Sequence, residues 1–188
     1  MNGGSQRRGI LENTESVVVL SPEGVLSTIK SSDINHSYRV SPFQGKPVVI
    51  AKVTLKLEPK SRSLVRNEMR KILSSRRKKF PRKLPNCGSV FLSNPAMYDE
   101  IGPPGYAIEK AGLKGTRKGN AQLSTLHANF IVNLGGASSA DVLYLIALAR
   151  NTVKEKTGFS MDCEVRYVDS RGNMVQAHEY TDTLPVHT

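Results

Sequence analysis

No stretch of the sequence is long and apolar enough to cross a bilayer, for which a helix needs about 18 or more largely apolar residues. The first ten residues, MNGGSQRRGI, include arginines but lack the apolar segment of a secretory signal peptide. We therefore expect a protein that works in the cytoplasm, or in the stroma of a plastid, with no membrane partner.

Cysteine and histidine are too few and too scattered to predict a metal centre. Cys87 and Cys163 form neither a metal-ligand pattern nor a disulfide framework, and we expect both to be buried small residues. The four histidines are His36, His127, His178 and His187. The sequence also lacks a P-loop, G-x-S-x-G, H-E-x-x-H, and a G-x-G-x-x-G after a strand, which excludes the common classes of enzyme that use them.

Acidic residues are scarce in one segment, and that segment carries nearly all of the formal net charge of +11. Residues 60–83 hold eleven lysines and arginines and one acidic residue, whereas residues 1–59 carry +2 and residues 84–188 carry −1. Such a patch attracts phosphates, nucleic acid or an acidic partner. The alternative is a solvated helix face whose cations gather in its last turns, where the helix dipole favours them.

Two strand patterns precede the basic segment. Residues 16–29 place two β-branched runs around Ser-Pro-Glu-Gly, which predicts a β-hairpin with Pro22 and Gly24 in its turn. Residues 47–59 alternate between apolar and polar side chains, which predicts a strand with one buried face. The apolar members of this alternation are Ala51, Val53, Leu55 and Leu57.

Helix and loop signals dominate the middle of the chain. Apolar residues at helical spacing predict a helix over residues 63–79. Residues 81–105 are rich in Pro, Gly, Asn and Ser, which predicts a loop in which residues 89–91 form a short strand. A short helix over residues 106–112 and a strand from Ala128 are expected to follow.

The clearest helix pattern lies in the last third of the chain. It begins at Ser138, which forms an S-x-x-D capping box with Asp141, and ends at Gly158. Residues 161–168, MDCEVRYV, predict a last strand. The polar segment from Asp169 onward is expected to be less ordered.

Ser89 lies in the stretch PNCGSVFLSNP, between a glycine and an apolar pair. By itself this pattern is typical of a turn serine. The order of short motifs is more informative: MNGGS, SYRVS, RRKKFP, CGSVFLSNP, EKAGLKG, AQLSTLHANFIVNLGGASSADV and CEVRYV. In this order they resemble the UDP-N-acetylenolpyruvylglucosamine reductases, flavoenzymes that complete UDP-N-acetylmuramic acid for bacterial cell walls. The resemblance covers residues 1–168.

The resemblance implies an oxidoreductase of peptidoglycan-precursor synthesis, in which NADPH-reduced FAD passes hydride to the enolpyruvyl double bond of a UDP-sugar. Ser89 takes the place of the serine that protonates the neighbouring carbon, Arg39 that of the arginine beside the substrate carboxylate, and Glu164 that of the glutamate that joins them. A fixed guanidinium stabilises enolate charge, and a positioned acid delivers a proton. The alternatives are a turn serine, a surface arginine, and a cross-strand ion pair for Glu164, which is predicted to lie mid-strand beside Arg166.

The resemblance also implies contacts with substrate and cofactor. The substrate-binding residues would be Tyr38, Asn94, Lys114, Arg117 and Gln122. The flavin contacts would be Asn2, Gly3, Gly4 and Gly88. The glycine-rich loops that hold the FAD diphosphate in this family lie upstream of anything in this sequence, so we expect the chain alone to retain FAD poorly. A truncated gene model, a fragment and a diverged relative all account for this difference.

These patterns together predict an α+β protein that acts as a monomer. Residues 1–60 would be a β-rich remnant of the FAD-binding domain, residues 61–168 the substrate-binding domain, and residues 169–188 a polar tail. The alternative function is a non-catalytic relative that binds nucleic acid, another polyanion or an acidic protein through residues 60–83. The scarcity of aromatic residues there argues against a nucleic-acid stacking surface.

Overall fold

The computed structural model describes residues 2–5, 8–37 and 39–183. The chain divides into two compact units, Met1–Val65 and Arg66–Thr188. Both units contain antiparallel sheets and the second adds most of the helices, which confirms the α+β class. Among the described residues, no helix combines the length and apolar composition of a membrane span. The assignment of the first unit to flavin and the second to substrate stays a prediction.

The first unit is built on a three-stranded antiparallel sheet. A short strand pair, β1 (Gly4–Ser5) and β2 (Arg8–Gly9), precedes this sheet. The sheet contains β3 (Thr14–Leu20), β4 (Leu26–Lys30) and β5 (Val49–Leu55). Its strand order is β4-β3-β5, so β3 is central.

The turn between β3 and β4 confirms the predicted hairpin. Gly24 donates its N–H to the carbonyl of Ser21 at 3.0 Å, and Ser21 donates to the carbonyl of Val25 at 3.0 Å. Gly24 has a φ of 80°, a left-handed conformation that glycine adopts at little cost. The hairpin register then places Val17 opposite Ile29.

The core of the first unit is small. Its buried apolar residues are Leu11, Val17, Val19 and Ile34. The expectation that β5 buries one face was wrong, because Val53 and Leu55 each stay 45% exposed. The alternation is present in the sequence, but burial also requires a layer to pack against, which the pattern cannot reveal.

Helix α1 (Arg62–Lys79) confirms the predicted basic helix but buries no side chain. Its larger apolar residues, Leu64, Met69 and Leu73, are all exposed. Four cations, from Arg76 to Lys79, occupy its last turn, where the helix dipole stabilises positive charge. This part of the basic segment therefore fits a solvated helix face.

The second unit combines helices with a short antiparallel sheet. Its first elements are α2 (Pro95–Glu100), α3 (Pro104–Lys110), β6 (Arg117–Lys118), β7 (Ala121–Leu123), β8 (Ile131–Asn133) and α4 (Ser139–Thr157). The strand order is β6-β7-β8, and α4 lies against β6 and β7. Ile108, Leu123 and Leu145 are fully buried in the shared core.

Several predicted elements of the second unit differ in extent from the structure. Helix α2 lies within the stretch predicted as loop, and the strand expected from Ala128 begins at Ile131. Asn94 caps α2 by accepting the N–H of Ala96 at 3.0 Å, with a proline at the first helical position. This helix start could not be recognised in the sequence, because asparagine and proline are also typical of loops and lie here among other loop-forming residues.

The termini of α4 are as predicted. The hydroxyl of Ser138 accepts the N–H of Asp141 at 3.1 Å, and the Asp141 carboxylate accepts the N–H of Ser138 at 3.0 Å. These bonds hold the pKa of Asp141 below its usual value. Gly158 ends the helix with a φ of 77°.

The expectation of a less ordered tail was wrong for residues 169–183. The chain forms a hairpin of β9 (Arg166–Val168) and β10 (Met174–Gln176), followed by α5 (Ala177–Asp182). Helix α5 packs on α4. The sequence contains few large apolar residues here, so its contribution to the core could not be recognised from composition.

Individual contacts show how α5 is anchored. The rings of Tyr167 and Tyr180 lie 4.2 Å apart, and Arg150 of α4 forms an ion pair with Asp182. Ala177 is buried and donates its N–H to the carbonyl of Val165 at 3.1 Å. This C-terminal segment is therefore part of the second unit's core.

We predict that Ala177→Asp lowers the free energy of unfolding by about 2 kcal/mol or more, because it buries a carboxylate without a partner. The control, Ser170→Asp, adds the same group at an exposed turn and should change stability by less than about 0.5 kcal/mol. Urea unfolding followed by circular dichroism measures both. Equal stabilities of the two variants would contradict the placement of α5 in the core.

Candidate functional site

The loop that leads to Ser89 is held by the side chain of Asn86. The Asn86 amide nitrogen donates to the carbonyls of Pro81 at 2.9 Å and Leu84 at 2.8 Å, and its amide oxygen accepts the N–H of Gly88 at 3.0 Å. Gly88 has a φ of 87°, which a side chain would strain. The turn immediately before Ser89 is therefore fixed by local chemistry.

The segment after Ser89 is clamped by Asn129. The Asn129 side chain accepts the N–H of Phe91 at 2.9 Å and donates to the Phe91 carbonyl at 3.0 Å, so one amide satisfies both backbone groups. The Asn129 carbonyl also accepts the N–H of Val90 at 2.9 Å. Because all three residues are buried, these bonds are shielded from competing water.

Glu164 lies on the other side of this segment. Its N–H donates to the carbonyl of Val90 at 2.8 Å, and Phe91 pairs with Cys163 in an isolated antiparallel bridge. The structure therefore brings the backbone beside Ser89 together with Glu164. Both residues are half-buried, which leaves them accessible to a ligand.

The segment that carries Glu164 precedes β9, since the strand predicted over residues 161–168 begins only at Arg166, and this segment has its own support. His178 of α5 accepts the N–H of Cys163 on its Nδ1 atom at 2.9 Å. Arg150 donates from Nε to the carbonyl of Met161 at 2.7 Å. The segment that the sequence predicted as a less ordered tail thus helps to hold Glu164 in place.

The two cysteines differ in their exposure to solvent. Cys163 is buried as expected, and burial raises the pKa of its thiol to about 12, which keeps it protonated and unreactive. Cys87 is exposed, so the expectation of burial was wrong for that residue.

Arg39 lies in the first unit, in a turn closed by Ser37 and Val40. These two residues exchange backbone bonds of 3.3 Å and 3.1 Å. Arg39 is half-buried and has a φ of 60°, a costly conformation for a residue with a side chain, and such residues cluster at functional sites. Tyr38 lies outside the described residues. The meeting of Arg39 with Ser89 and Glu164 stays a prediction.

The residues that the resemblance assigns to flavin do not form a cradle for it. The Asn2 side chain accepts the N–H of Leu11 at 3.1 Å and donates to the carbonyl of Ser37 at 3.2 Å, and Gly3 accepts the N–H of Ile10 at 3.0 Å. These groups hold the first unit together, whereas Gly88 belongs to the second unit. The described residues of this set therefore do not fit the FAD diphosphate, which needs a run of unpaired backbone N–H groups.

The remaining substrate candidates occupy two places in the second unit. Lys114 forms an ion pair with Glu109 at 2.8 Å, and Asn94 caps α2. Arg117 and Gln122 are directly opposite each other in the β6–β7 pair. The Gln122 amide nitrogen donates to the carbonyl of Gly115 at 2.9 Å, which fixes its orientation.

Gln122 also lines a cavity of about 550 Å³ that combines cations with apolar side chains. The residues that line this cavity are Arg77, Phe80, Pro81, Arg82, Lys83, Leu84, Gln122, Ser124, Thr125, Leu126 and Val132. Three cations from the end of the basic segment therefore face this concave surface. Among them, Arg82 and Lys83 were noticed in the sequence only as bulk charge.

Phe80, which lines this cavity, belongs to an aromatic cluster. The Phe80 ring stacks on His127 at 5.4 Å and lies 5.3 Å from Phe130, while the Arg76 guanidinium lies 4.8 Å from the Phe80 ring centre. Burial lowers the pKa of His127, so its ring is neutral at pH 7. No short sequence motif could have indicated this cluster. His127 and Phe130 lie close together in the stretch HANF, but Phe80 lies 47 residues before His127.

Comparison with known proteins places these features in a family. Residues 80–168 match the family model described as UDP-N-acetylenolpyruvoylglucosamine reductase, C-terminal domain. The chain is 48% identical over 182 residues to UDP-N-acetylenolpyruvoylglucosamine reductase 1 of Corynebacterium glutamicum, covering 97% of this chain and 54% of that protein. It is 41% identical over 168 residues to the reductase of Protochlamydia amoebophila, covering 89% of this chain and 54% of that protein.

A solved structure shows the same relationship. The crystal structure of UDP-N-acetylenolpyruvylglucosamine reductase from Thermus caldophilus superposes with a TM-score of 0.67 at 28% identity, covering 86% of this chain and 56% of that one. The chain thus spans about half the length of the curated relatives it matches. These matches do not favour the alternative of a non-catalytic polyanion-binding module. Residues 80–168 form the C-terminal domain of the UDP-N-acetylenolpyruvoylglucosamine reductases, and the chain belongs to that family.

Proposed function

We propose that the second unit binds the UDP-sugar substrate of an oxidoreductase that reduces UDP-N-acetylglucosamine enolpyruvate. The observation that supports this most directly is the cavity lined by Arg77, Arg82 and Lys83 together with apolar side chains. A nucleoside diphosphate needs cations for its phosphates and apolar surface for its base, and this cavity offers both. We identify the nucleoside as uridine and the attached group as a sugar because the relatives are named as reductases of a UDP-sugar.

The cavity and Ser89 are linked through one loop. Val132 lines the cavity and pairs with Asn86 in an antiparallel bridge, and Asn86 fixes the turn before Ser89. A ligand whose diphosphate lies against Arg82 would therefore extend along the loop that presents Ser89. Gln122, held by Gly115, is the polar side chain best oriented to contact the sugar or the diphosphate.

The proposed reacting residues are Ser89, Glu164 and Arg39. Reduction of an enolpyruvyl double bond leaves negative charge that spreads onto the carboxylate, and a guanidinium such as that of Arg39 stabilises this charge. Completion of the reaction requires a proton on the neighbouring carbon, for which the Ser89 hydroxyl is the proposed donor. The Glu164 carboxylate would hold the other two groups in position. Glu164 itself is anchored by its N–H, which donates to the Val90 carbonyl.

The proposed electron carrier is FAD, reduced by NADPH, in the cytoplasmic synthesis of peptidoglycan precursors. The described residues supply no cradle for the FAD diphosphate. Roles are therefore proposed only for residues that would contact the sugar nucleotide. Asn94, Arg117 and Lys114 are proposed to make outer contacts with that ligand. Lys114 would first have to exchange its ion pair with Glu109 for a phosphate.

We predict that the purified chain binds UDP and that Arg82→Ala weakens this binding about tenfold, because a charged hydrogen bond to phosphate is lost. Arg66→Ala is the matched control, since it removes an exposed arginine of α1 that does not line the cavity. Isothermal titration calorimetry with UDP measures both. The same loss of affinity in both variants would show general charge attraction and contradict a specific site.

A second prediction concerns Ser89. In an active fusion, with the unmatched part of the C. glutamicum reductase preceding this chain, Ser89→Ala should lower kcat about 100-fold or more with little change in KM. Ser93→Ala is the control, because that nearby half-buried hydroxyl instead accepts a bond from Tyr98 at 2.9 Å. A Ser89→Ala fusion with unchanged kcat would rule out the proposed proton donor.

A further inference from the structure

The antiparallel bridge between Phe91 and Cys163 turns the backbone groups of these two residues away from each other. The hydrogen bonds of the bridge run instead from the N–H groups of Leu92 and Glu164 to the carbonyls of Asp162 and Val90, at 2.9 Å and 2.8 Å. In such a pair, the N–H and C=O groups of the directly opposed residues point outward. Asn129 satisfies the outward groups of Phe91. The outward N–H of Cys163 needs a partner of its own.

His178 supplies this partner. Its Nδ1 atom accepts the Cys163 N–H at 2.9 Å, and Cys163 has no exposed surface. A ring nitrogen that accepts a hydrogen bond carries no proton, so the proton of the neutral ring is on Nε2. Nε2 lies 3.6 Å from Oδ1 of Asp162, whose carboxylate favours this arrangement. Because a buried N–H without an acceptor is costly, the bond constrains the backbone that leads into Glu164.

The ring of His178 is held in place by the rest of α5. The buried Thr181 donates its hydroxyl to the His178 carbonyl at 2.9 Å. Ala177, the first residue of α5, donates its N–H at 3.1 Å to the carbonyl of the residue before β9, and Asp182, the last, forms an ion pair with Arg150 of α4. Since the helix is anchored at both ends, its histidine presents Nδ1 in a fixed position.

We propose that His178 is a positioning residue of the reaction, which fixes Glu164 relative to Ser89 by accepting the Cys163 N–H. This inference rests on the roles proposed above for Ser89 and Glu164. A proton donor and the group that orients it must be held closely, because a displacement of about 1 Å can lower a rate about 100-fold. The matched family domain ends at residue 168, so His178 lies outside it.

The position of His178 also determines which kinetic constant it should affect. The proposed UDP cavity is lined by residues such as Arg82, Lys83 and Gln122, and no residue of α5 or of the segment 161–165 lines it. Loss of the His178 bond should therefore leave binding of the nucleotide unchanged and act on the chemical step. A residue needed only for folding would instead reduce the amount of active protein.

The test uses the active fusion described for Ser89→Ala. His178→Leu has no acceptor and should lower kcat about tenfold or more, with KM within about twofold of the wild type. His178→Asn keeps an acceptor oxygen near the position of Nδ1, and its kcat should stay within about threefold of the wild type. Equal losses of kcat in the two variants would overturn the proposal.

Glu179→Ala is the control for general loosening of α5. The exposed Glu179 carboxylate accepts the N–H of Gln176 at 3.2 Å at the start of the helix, and its removal leaves the acceptor on His178 intact. The kcat of Glu179→Ala should therefore stay close to that of the wild type. A loss as large as that in His178→Leu would overturn the positioning role.

A double-mutant comparison with Glu164→Gln separates this inference from the proposed function. If His178 acts through Glu164, His178→Leu should cause little further loss of kcat in the Glu164→Gln fusion. Losses that multiply would overturn the inference and leave the role of Glu164 intact. A Glu164→Gln fusion with the kcat of the wild type would contradict the role proposed for Glu164, and with it this inference.

Amide hydrogen exchange in the chain alone tests the bond without any activity. Exchange at Cys163 should be about tenfold or more faster in His178→Leu than in the wild type, close to the wild type in His178→Asn, and unchanged in both at Leu145 of α4. Unchanged exchange at Cys163 in His178→Leu would overturn the proposal. If His178→Leu also loses protection at Leu145, it has unfolded, and His178→Gln, whose acceptor is displaced by one carbon, replaces it in both tests.

Discussion

The pairing of one buried amide with one backbone residue determines the geometry of the candidate site. Asn129 satisfies both the N–H and the carbonyl of Phe91, at 2.9 Å and 3.0 Å. This bond pair fixes the segment after Ser89 on one side, and the backbone contacts with Cys163 and Glu164 fix it on the other. Without the amide, two buried backbone groups would lose their partners, which is expensive in a low-dielectric interior. The position of Ser89 relative to Glu164 follows from this clamp.

The sequence predicted the elements whose causes are local. Helix α4 could be placed because Ser138, Asp141 and Gly158 act within a few residues of one another. The hairpin turn could be placed because Gly24 adopts a conformation that glycine favours. Neither prediction required any knowledge of tertiary structure.

The features that the sequence did not predict depend on residues far apart. The Asn129 amide acts on a residue 38 positions away, and the aromatic cluster joins Phe80 to His127. Helix α5 was missed because its anchors, such as Tyr167 and Tyr180, are partly polar and give no clear periodicity. For β5 the error was the reverse, because a buried face was predicted and the side chains are exposed. The alternation of Val53 and Leu55 is present, but burial depends on a layer that the described residues do not supply. Among the site residues, Ser89 and Glu164 were found through family resemblance, since serine in a turn has no distinctive local signal.

The cations of the basic segment lie in two different environments along its length. All of these cations are exposed, but Arg77, Arg82 and Lys83 also line a cavity with Phe80, which Arg70 and Lys71 do not. The charge excess therefore combines a solvated helix face with a local concentration of cations where an anionic ligand would bind. Composition could show the excess but not this division, because it depends on where the chain turns at Pro81.

The measurement that tests the clamp most directly is residue-specific amide hydrogen exchange, followed by NMR, in the wild-type chain and in Asn129→Ala. The account predicts slow exchange at Phe91 in the wild type, at least tenfold faster exchange at Phe91 in the variant, and little change at Leu145 in α4. Rapid exchange at Phe91 in the wild type, or the same rate in both proteins, would contradict the claim that Asn129 holds the segment beside Ser89.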